Sequence, residues 1–357
     1  MLNNFRFLTS GESHGKCLNG IIDGVPAGFE IDLKSINDEL KRRQGGWGRG
    51  DRMKIETDEV EIKSGVRFGK TTGAPICLEV KNKDFENWQN IMSAEKIDTD
   101  ENEKSFTKPR PGHADFAGSI KYDLKDLRNI LERSSARKTA IDVAIGSIAK
   151  QILKEFDITC SSEIISIGKE TTEDKMKEKI DIAKAQGDTL GGKFEVVFEN
   201  LPVGLGSHVQ WDRKLDAQVT QAVMSIPAVK AVEIGLGVES ADVFGSEMHD
   251  EIFIENGKYF RKTNNAGGIE GGMTNGEKLV VKATMKPIPT MRKPLCTIDF
   301  KDQTQTEAHF ERSDVCAVSA CAVVAEAMIA CVLVDAFLDR FGKDNLSQIK
   351  MNYKNLN

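Results

Sequence analysis

Hydrophobic and polar residues alternate with a period of two over residues 54–62, 74–80, 193–198 and 277–285, the pattern of strands with one covered face. Apolar residues recur instead at helical spacing over 33–43, 135–156, 215–224 and 314–340, and glycine-rich loops separate the two kinds of segment. The last segment is apolar on nearly every side between 315 and 338, where Glu326 and Asp335 break it. Its unbroken runs fall short of the ~20 residues that a membrane crossing takes. A central helix buried on all faces is therefore predicted there.

The two halves of the chain echo each other. Val60-Glu61-Ile62 followed by Gly65-Val66 resembles Val232-Glu233-Ile234 followed by Gly237-Val238, and residues 69–80 resemble 272–281. The spacing between matching segments is not constant, so a duplication must have taken insertions. An internal two-fold relation between the halves is expected.

Composition narrows the function classes. With 39% hydrophobic and 29% charged residues, the chain is a globular protein rather than a binding tail. Its length alone would allow two or three domains, though no Pro/Ser-rich linker divides it. A net charge of −6 and a pI near 5.6 argue against nonspecific nucleic-acid binding, which needs a basic field. Any anion site must then be local. The seven cysteines form no Cys-x-x-Cys pair and sit mostly among apolar neighbours; they read as reduced, buried thiols. The N-terminus lacks a basic region followed by a long apolar run, so a cytoplasmic protein with no membrane partner is expected.

The densest chemistry lies in Arg110-Pro111-Gly112-His113-Ala114-Asp115 and Glu132-Arg133-Ser134-Ser135-Ala136-Arg137. A helix beginning at Ser134 or Ser135 would aim unpaired backbone N–H groups and its positive dipole end at an anion held by the serines and Arg133, which suits a phosphate. An ordinary capped helix with solvated arginines fits the same residues. Gly11-Glu12-Ser13-His14-Gly15 matches the Gly-x-Ser-x-Gly nucleophile elbow in form, but an elbow needs a helix after the serine and an oxyanion loop from an earlier strand. Residues 16–28 hold three glycines and a proline, and only a dozen residues precede the serine. His14 is the more useful residue, because a histidine in a glycine-flanked loop can exchange protons near neutrality; a surface loop histidine is the alternative. Residues 41–53 carry four arginines among four glycines and Trp47. Arg-Gly segments that bind RNA are usually disordered and repetitive, whereas this one is single and joins a helix to a strand. An ordered loop presenting guanidinium forks to carboxylate or phosphate fits better. Lys286-Pro287-Ile288-Pro289-Thr290 ends a strand with two extended prolines. In Arg312-Ser313-Asp314, either Ser313 or Asp314 is placed to cap the long helix, or a carboxylate there acts as a base.

Together with Ser225-Ile226-Pro227-Ala228-Val229-Lys230 and Gly267-Gly268-Ile269-Glu270-Gly271-Gly272, these blocks closely resemble the chorismate synthase family, in the right order from about residue 6 to residue 342. The resemblance implies an α+β fold with long central helices between antiparallel β-sheets, as a single domain over residues 1–357 assembled into a homotetramer. It implies a carbon–oxygen lyase that eliminates phosphate from 5-enolpyruvylshikimate-3-phosphate in a 1,4-anti sense, giving chorismate in the last step of the shikimate pathway. The family requires reduced FMN without net redox change, and NADPH only where an enzyme reduces its own flavin.

Carried over position by position, the resemblance makes Arg43, Arg49, Arg52, Arg110 and Arg137 the substrate-binding candidates. Arg133, Ser134, Ser135, Gly271, Lys286, Pro287, Ile288, Pro289, Thr290 and Arg312 are the FMN-binding candidates. His14 would donate a proton to the leaving phosphate, His113 would stabilise the anionic flavin near its N1, and Asp314 would work with flavin N5 in removing the C6 proton. No metal is expected. Lys138 and Asp142 depart from the family's usual glutamate and arginine, and their spacing of four allows the same ion pair with its signs reversed. A flavin-dependent oxidoreductase would need a nicotinamide site, for which the chain offers no Gly-x-Gly-x-x-Gly after a strand. An RNA-binding module would show salt-sensitive RNA binding.

Overall fold

The computed structural model describes residues 2–50, 57–97 and 104–356. Eight strands and eight helices carry the argument: β1 (Arg6–Ser10), β2 (Cys17–Asp23), α1 (Leu33–Gln44), β3 (Val60–Ser64), β4 (Ile76–Lys81), α2 (Asp115–Tyr122), α3 (Arg128–Ser134), α4 (Thr139–Lys154), β5 (Thr159–Ile167), α5 (Glu173–Ala185), β6 (Gly192–Glu199), α6 (Leu215–Met224), β7 (Val229–Ile234), β8 (Leu279–Met285), α7 (Val318–Phe341) and α8 (Leu346–Leu356). The architecture is α+β, as expected. Two antiparallel four-stranded sheets, ordered β1-β2-β4-β3 and β5-β6-β8-β7, lie on either side of the long helices. Alternate residues of β4, β6 and β8 are buried against that helix layer, so each sheet is covered on one face.

The element order repeats, and so does the strand register. Ile22 faces Ile76 in the first sheet and Phe198 faces Leu279 in the second; Val60 faces Val80 as Val232 faces Ala283. The equivalences Val60/Val232 and Gly69/Gly272 are those expected from the sequence. A buried threonine ties each half together in the same way. Thr71 Oγ1 donates to Pro26 O (2.5 Å) and accepts from Phe29 N–H (2.9 Å). Thr274 Oγ1 donates to Pro202 O (2.6 Å) and accepts from Leu205 N–H (2.8 Å). The changing offset comes from inserted segments in both halves: residues 45–59 after α1 in the first, and in the second α5 between β5 and β6 and the hairpin Ile252–Glu255/Lys258–Arg261 between β7 and β8.

The segment predicted as a buried central helix is α7. Its mean hydropathy of 2.3 would suit a membrane, but 94% of that window is buried inside the protein. Gly146 of α4 lets α4 and α7 touch, since a Cβ there would overlap Ala327. The two buried acids of α7 are both satisfied. Asp335 Oδ1 accepts the N–H groups of Asn3, Asn4 and Phe5 at 2.8, 2.5 and 2.9 Å. Glu326 accepts from both terminal nitrogens of Arg42 (3.0 and 2.8 Å), from Ser162 (2.5 Å) and from Lys150. Burial raises the Glu326 pKa, but Arg42, Lys150 and Ser162 outweigh it and bring it down to about 2.

Three expectations need correction. The helix predicted from residue 314 starts at Val318, and neither Ser313 nor Asp314 caps it. The strand predicted over 54–62 begins at Val60, its first residues lying outside the described ones. All seven cysteines are free thiols, but only Cys316, Cys321 and Cys331 are buried, and Cys296 is exposed.

Candidate active site

The turn between β1 and β2 holds His14. Gly11, at φ +103, is needed there because a Cβ would overlap the Cys17 carbonyl. Asn82, just past β4, fixes the turn by donating to Glu12 O (3.0 Å) and Gly15 O (2.7 Å). His14 receives two bonds from one carboxylate partner: its backbone N–H donates to Glu132 Oε2 (2.7 Å) and its ring Nδ1 lies 2.9 Å from Glu132 Oε1. Trp88 stacks on the imidazole with centroids 4.0 Å apart. Ser13 is buried, its N–H bonded to Glu132 O (2.9 Å), and the chain continues into β2 rather than a helix. No nucleophile elbow forms.

The arginines of different motifs converge through shared carboxylates. Arg43, in the last turn of α1, and Arg137, just before α4, flank the Asp58 carboxylate at 3.2 and 2.6 Å. Arg137 Nε also donates to Asn82 Oδ1 (2.8 Å), which connects this pair to the His14 turn. Arg43 Nε donates to Thr139 Oγ1 (2.9 Å). Burial, with Arg137 and Arg49 nearby, lowers the Arg43 pKa to about 10 against the pull of Asp58, so the group stays cationic at neutral pH. Arg49 donates to Arg43 O (3.1 Å) and pairs with Asp314 (3.1 Å), whose other oxygen accepts Gly50 N–H at 2.6 Å. The Gly48 carbonyl accepts Val315 N–H (2.8 Å). The arginine-glycine loop up to Gly50 is therefore an ordered part of the site, and Arg52 lies outside the described residues.

A second group joins it through the strand end after β8. Arg110 is bound to Asp115 by Nε (2.8 Å) and by a terminal nitrogen (2.9 Å), and donates to Thr290 Oγ1 (2.9 Å). His113 Nδ1 sits 2.7 Å from the same Asp115 carboxylate. Burial raises the Asp115 pKa, but Arg110 and His113 more than reverse this and hold it well below the usual carboxylate range. Ser313 Oγ donates to Thr290 O (2.6 Å), beside Asp314. Lys286 Nζ donates to Gly112 O (2.5 Å), and Ile288 O accepts Thr189 Oγ1 (2.7 Å). A cavity of about 470 Å³ opens beside Pro109, Arg110, His113, Phe116, Thr297 and Ile298.

The remaining candidates divide. Ser134 ends α3 and back-bonds to Ile130 O (2.7 Å). Ser135 caps the 3-10 turn that leads into α4, its Oγ accepting Arg137 N–H (3.3 Å). Arg133 donates to Gly11 O and to Thr9 O and Oγ1 (2.9–3.0 Å), tying α3 to β1. Arg312 is exposed beside Ser313, and Pro287 and Pro289 stand in the strand end. Gly271 sits at the turn of a hairpin (Ile269–Glu270 with Met273–Thr274) where Gly272 packs on Ser207 and Lys214, and a Cβ at Gly271 itself would meet nothing within 4 Å.

A family model described as chorismate synthase matches residues 5–338. The chain belongs to the chorismate synthase family. The chorismate synthase of Thermoanaerobacter pseudethanolicus is 55% identical over 349 residues, which covers 98% of this chain and 97% of that protein. That of Geotalea daltonii is 51% identical with the same coverage. A crystal structure of chorismate synthase overlays with a TM-score of 0.80 at 40% identity, covering 100% of this chain and 98% of that one. As a chorismate synthase family member, the protein is a carbon–oxygen lyase.

Within this chorismate synthase site, sequence reasoning passed over Asp58, Asn82, Trp88, Asp115 and Glu132 as contributors. The signal for Asp58 was indirect: two buried arginines from separate motifs require a shared counter-charge. The ion pair expected between Lys138 and Asp142 is formed, with Lys138 Nζ 2.6 Å from Asp142 Oδ2.

Proposed function

We propose that the protein converts 5-enolpyruvylshikimate-3-phosphate to chorismate and inorganic phosphate by 1,4-elimination, with reduced FMN as the cofactor. One observation carries this reading: hydrogen bonds and ion pairs, continued along the backbone from Ser13 to Glu12 and from Asp314 to Ser313, connect His14 through Glu132, Ser13, Glu12 and Asn82 to Arg137, Asp58, Arg43, Arg49 and Asp314, and through Ser313 and Thr290 to Arg110 and His113. A substrate with two carboxylates and a phosphate calls for several guanidinium forks held in fixed relation, since planar forks match such anions in pairs of bonds.

Arg43, Arg49, Arg110 and Arg137, with Arg52, hold the substrate. His14 gives a proton to the departing phosphate oxygen as the C3–O bond breaks. Asp314 takes part in removing the C6 proton, and the electrons of that C–H bond become the new double bond system. The cavity beside His113 and Arg110, with Phe116, Pro109 and Ile298 as apolar walls, fits a flat ring with a hydrogen-bonding edge, which supports FMN there. When bound, FMN supplies electron density to the allylic system as the C–O bond breaks. Ser134, Ser135, Arg133, Thr290, Arg312, Gly271 and residues 286–289 complete its binding set.

The protein acts as a single cytoplasmic domain assembled into a homotetramer. One hydrophobic cluster reaching from Phe5 to Ile349 supports the first point, and exposed apolar residues such as Phe244, Ile252, Ile254 and Tyr259 support burial between subunits. Anaerobic incubation with chemically reduced FMN and the substrate tests the reaction. Chorismate absorbance and phosphate release should rise together, one for one. FMN binding without either product would move the site to another flavin reaction.

A further inference from the structure

The elimination reading leaves Glu132 without a part, yet among the described residues no other carboxylate takes both the backbone N–H and a ring nitrogen of a candidate catalytic residue. Its two oxygens divide between the backbone N–H and the ring Nδ1 of the same histidine, at 2.7 and 2.9 Å. Its own carbonyl accepts the N–H of Ser13, the preceding residue (2.9 Å). Trp88 closes one face of the imidazole. His14 is thus held at three levels: its backbone, its ring edge and its ring plane. Among the described residues, no hydrogen bond is made by Nε2.

We infer that Glu132 is a positioning residue for His14, fixing the ring so that Nδ1 keeps its proton and Nε2 is the atom that exchanges a proton with the ligand. A carboxylate oxygen at 2.9 Å faces Nδ1, and two opposed lone pairs at that distance would repel, so Nδ1 must donate. The proton delivered to the leaving oxygen then comes from Nε2. That N–H bond breaks, an O–H bond forms, and the imidazolium returns to the neutral ring with Nδ1–H still bonded to Glu132. No ring flip is needed between turnovers. While the ring is charged, the carboxylate beside it offsets that charge.

The carboxylate is itself fixed. Arg128 approaches Glu132 Oε1 at 3.3 Å and Glu311 at 2.8 Å, and its guanidinium lies over Trp88 and Phe106. Burial raises the Glu132 pKa and the His14 contacts outweigh it, so the carboxylate is held below its ordinary range and stays ionised at neutral pH. Asp115 makes a related contact to His113 but spends both oxygens on Arg110 as well; Glu132 gives His14 both of its oxygens.

This inference rests on the elimination reading for its kinetic consequence but not for its geometry, so two measurements separate them. The first is the tautomer of His14 in the ligand-free protein, read from long-range 15N–1H correlations with the signal assigned by loss in His14→Gln. The proton should sit on Nδ1 in the wild type and redistribute toward Nε2 in Glu132→Ala. A proton found on Nε2 in the wild type overturns the inference whether or not the enzyme turns over. The second is steady-state kinetics of Glu132→Ala and the isosteric Glu132→Gln, which leaves the packing intact if the alanine variant fails to fold. Loss of the fixed acid should lower kcat on the order of 10²-fold in Glu132→Ala with KM changed less than about threefold. Glu132→Gln keeps an acceptor for Nδ1–H and should recover at least about tenfold of that loss. A rise in KM at constant kcat, or equal activity of glutamine and alanine variants, would reduce Glu132 to a structural part.

Discussion

The two halves of the molecule share a scaffold and differ in what they hang on it. Ladder register and the threonine tie are the same in both, down to Pro26 and Pro202 as the carbonyl partners. The connectors are not. After α6, the second half turns into β7 within Ser225-Ile226-Pro227-Ala228, whereas after α1 the first half inserts residues 45–59, bringing Arg49, Gly50 and Asp58 to the site. The second half contributes mainly at two places, the strand end after β8 with Thr290 and the segment before α7 with Asp314. Their first-half counterparts, Asn82 after β4 and Arg137 before α4, face the same network. A repeated fold thus supplies paired positions, and the unequal loops decide which pair of charges stands there.

The sharpest test of this division removes one proposed proton-transfer group from each half. His14→Ala and Asp314→Ala should each lower turnover by ~10² to 10⁴ while FMN still binds; near-normal turnover in one would take that half out of the chemistry. Next in size, Asp58→Ala strips the shared counter-charge from Arg43 and Arg137 and should destabilise by about 3–5 kcal/mol, read from urea unfolding. A cost under about 1 kcal/mol would mean that the first-half connector is not held by that carboxylate.

The joint between the halves is Glu326 of α7 against Arg42 and Lys150 of the first half. Its folded pKa of about 2 lies below the ordinary 4.5, so its contribution is complete above about pH 4.5 and is lost as pH falls towards 2. That contribution is about 3 kcal/mol, and in Glu326→Gln stability should change correspondingly less over this window. Equivalence of the scaffold predicts that Thr71→Val and Thr274→Val each cost about 1–3 kcal/mol, because each leaves a buried N–H unpaired. Values differing by more than about 2 kcal/mol would end the equivalence. The smallest effect is expected from K138E/D142R together, below ~1 kcal/mol and with turnover changed less than about tenfold.

What the sequence disclosed follows the range of each force. The helices α1, α4, α6 and α7 and the strands β4, β6 and β8 were legible because their apolar spacing is local. Strand β2 was not, since Asn19 and Gly20 interrupt its alternation, and Gly20 is there because a Cβ would press on Ile141 and Ile145 of α4. Helix α5 was missed because it buries only Ile180 and Ala183 and so shows little apolar stripe. Capping by Asp314 was a sound local rule defeated by a distant partner, as Arg49 and Gly50 claim both oxygens. Asp58 and Glu132 act on residues 15 and 118 positions away along the chain, and no spacing rule reaches that far.

The Lys138–Asp142 pair bears on ancestry. With the glutamate and arginine that the resemblance implies as the starting pair, either residue changed alone sets like charges one helical turn apart, with the buried end of that pair unable to turn to solvent. The two exchanges are therefore epistatic, each tolerable chiefly in the background of the other. Position-by-position scoring would count two defects here, whereas scoring the product of the two charges would find nothing changed.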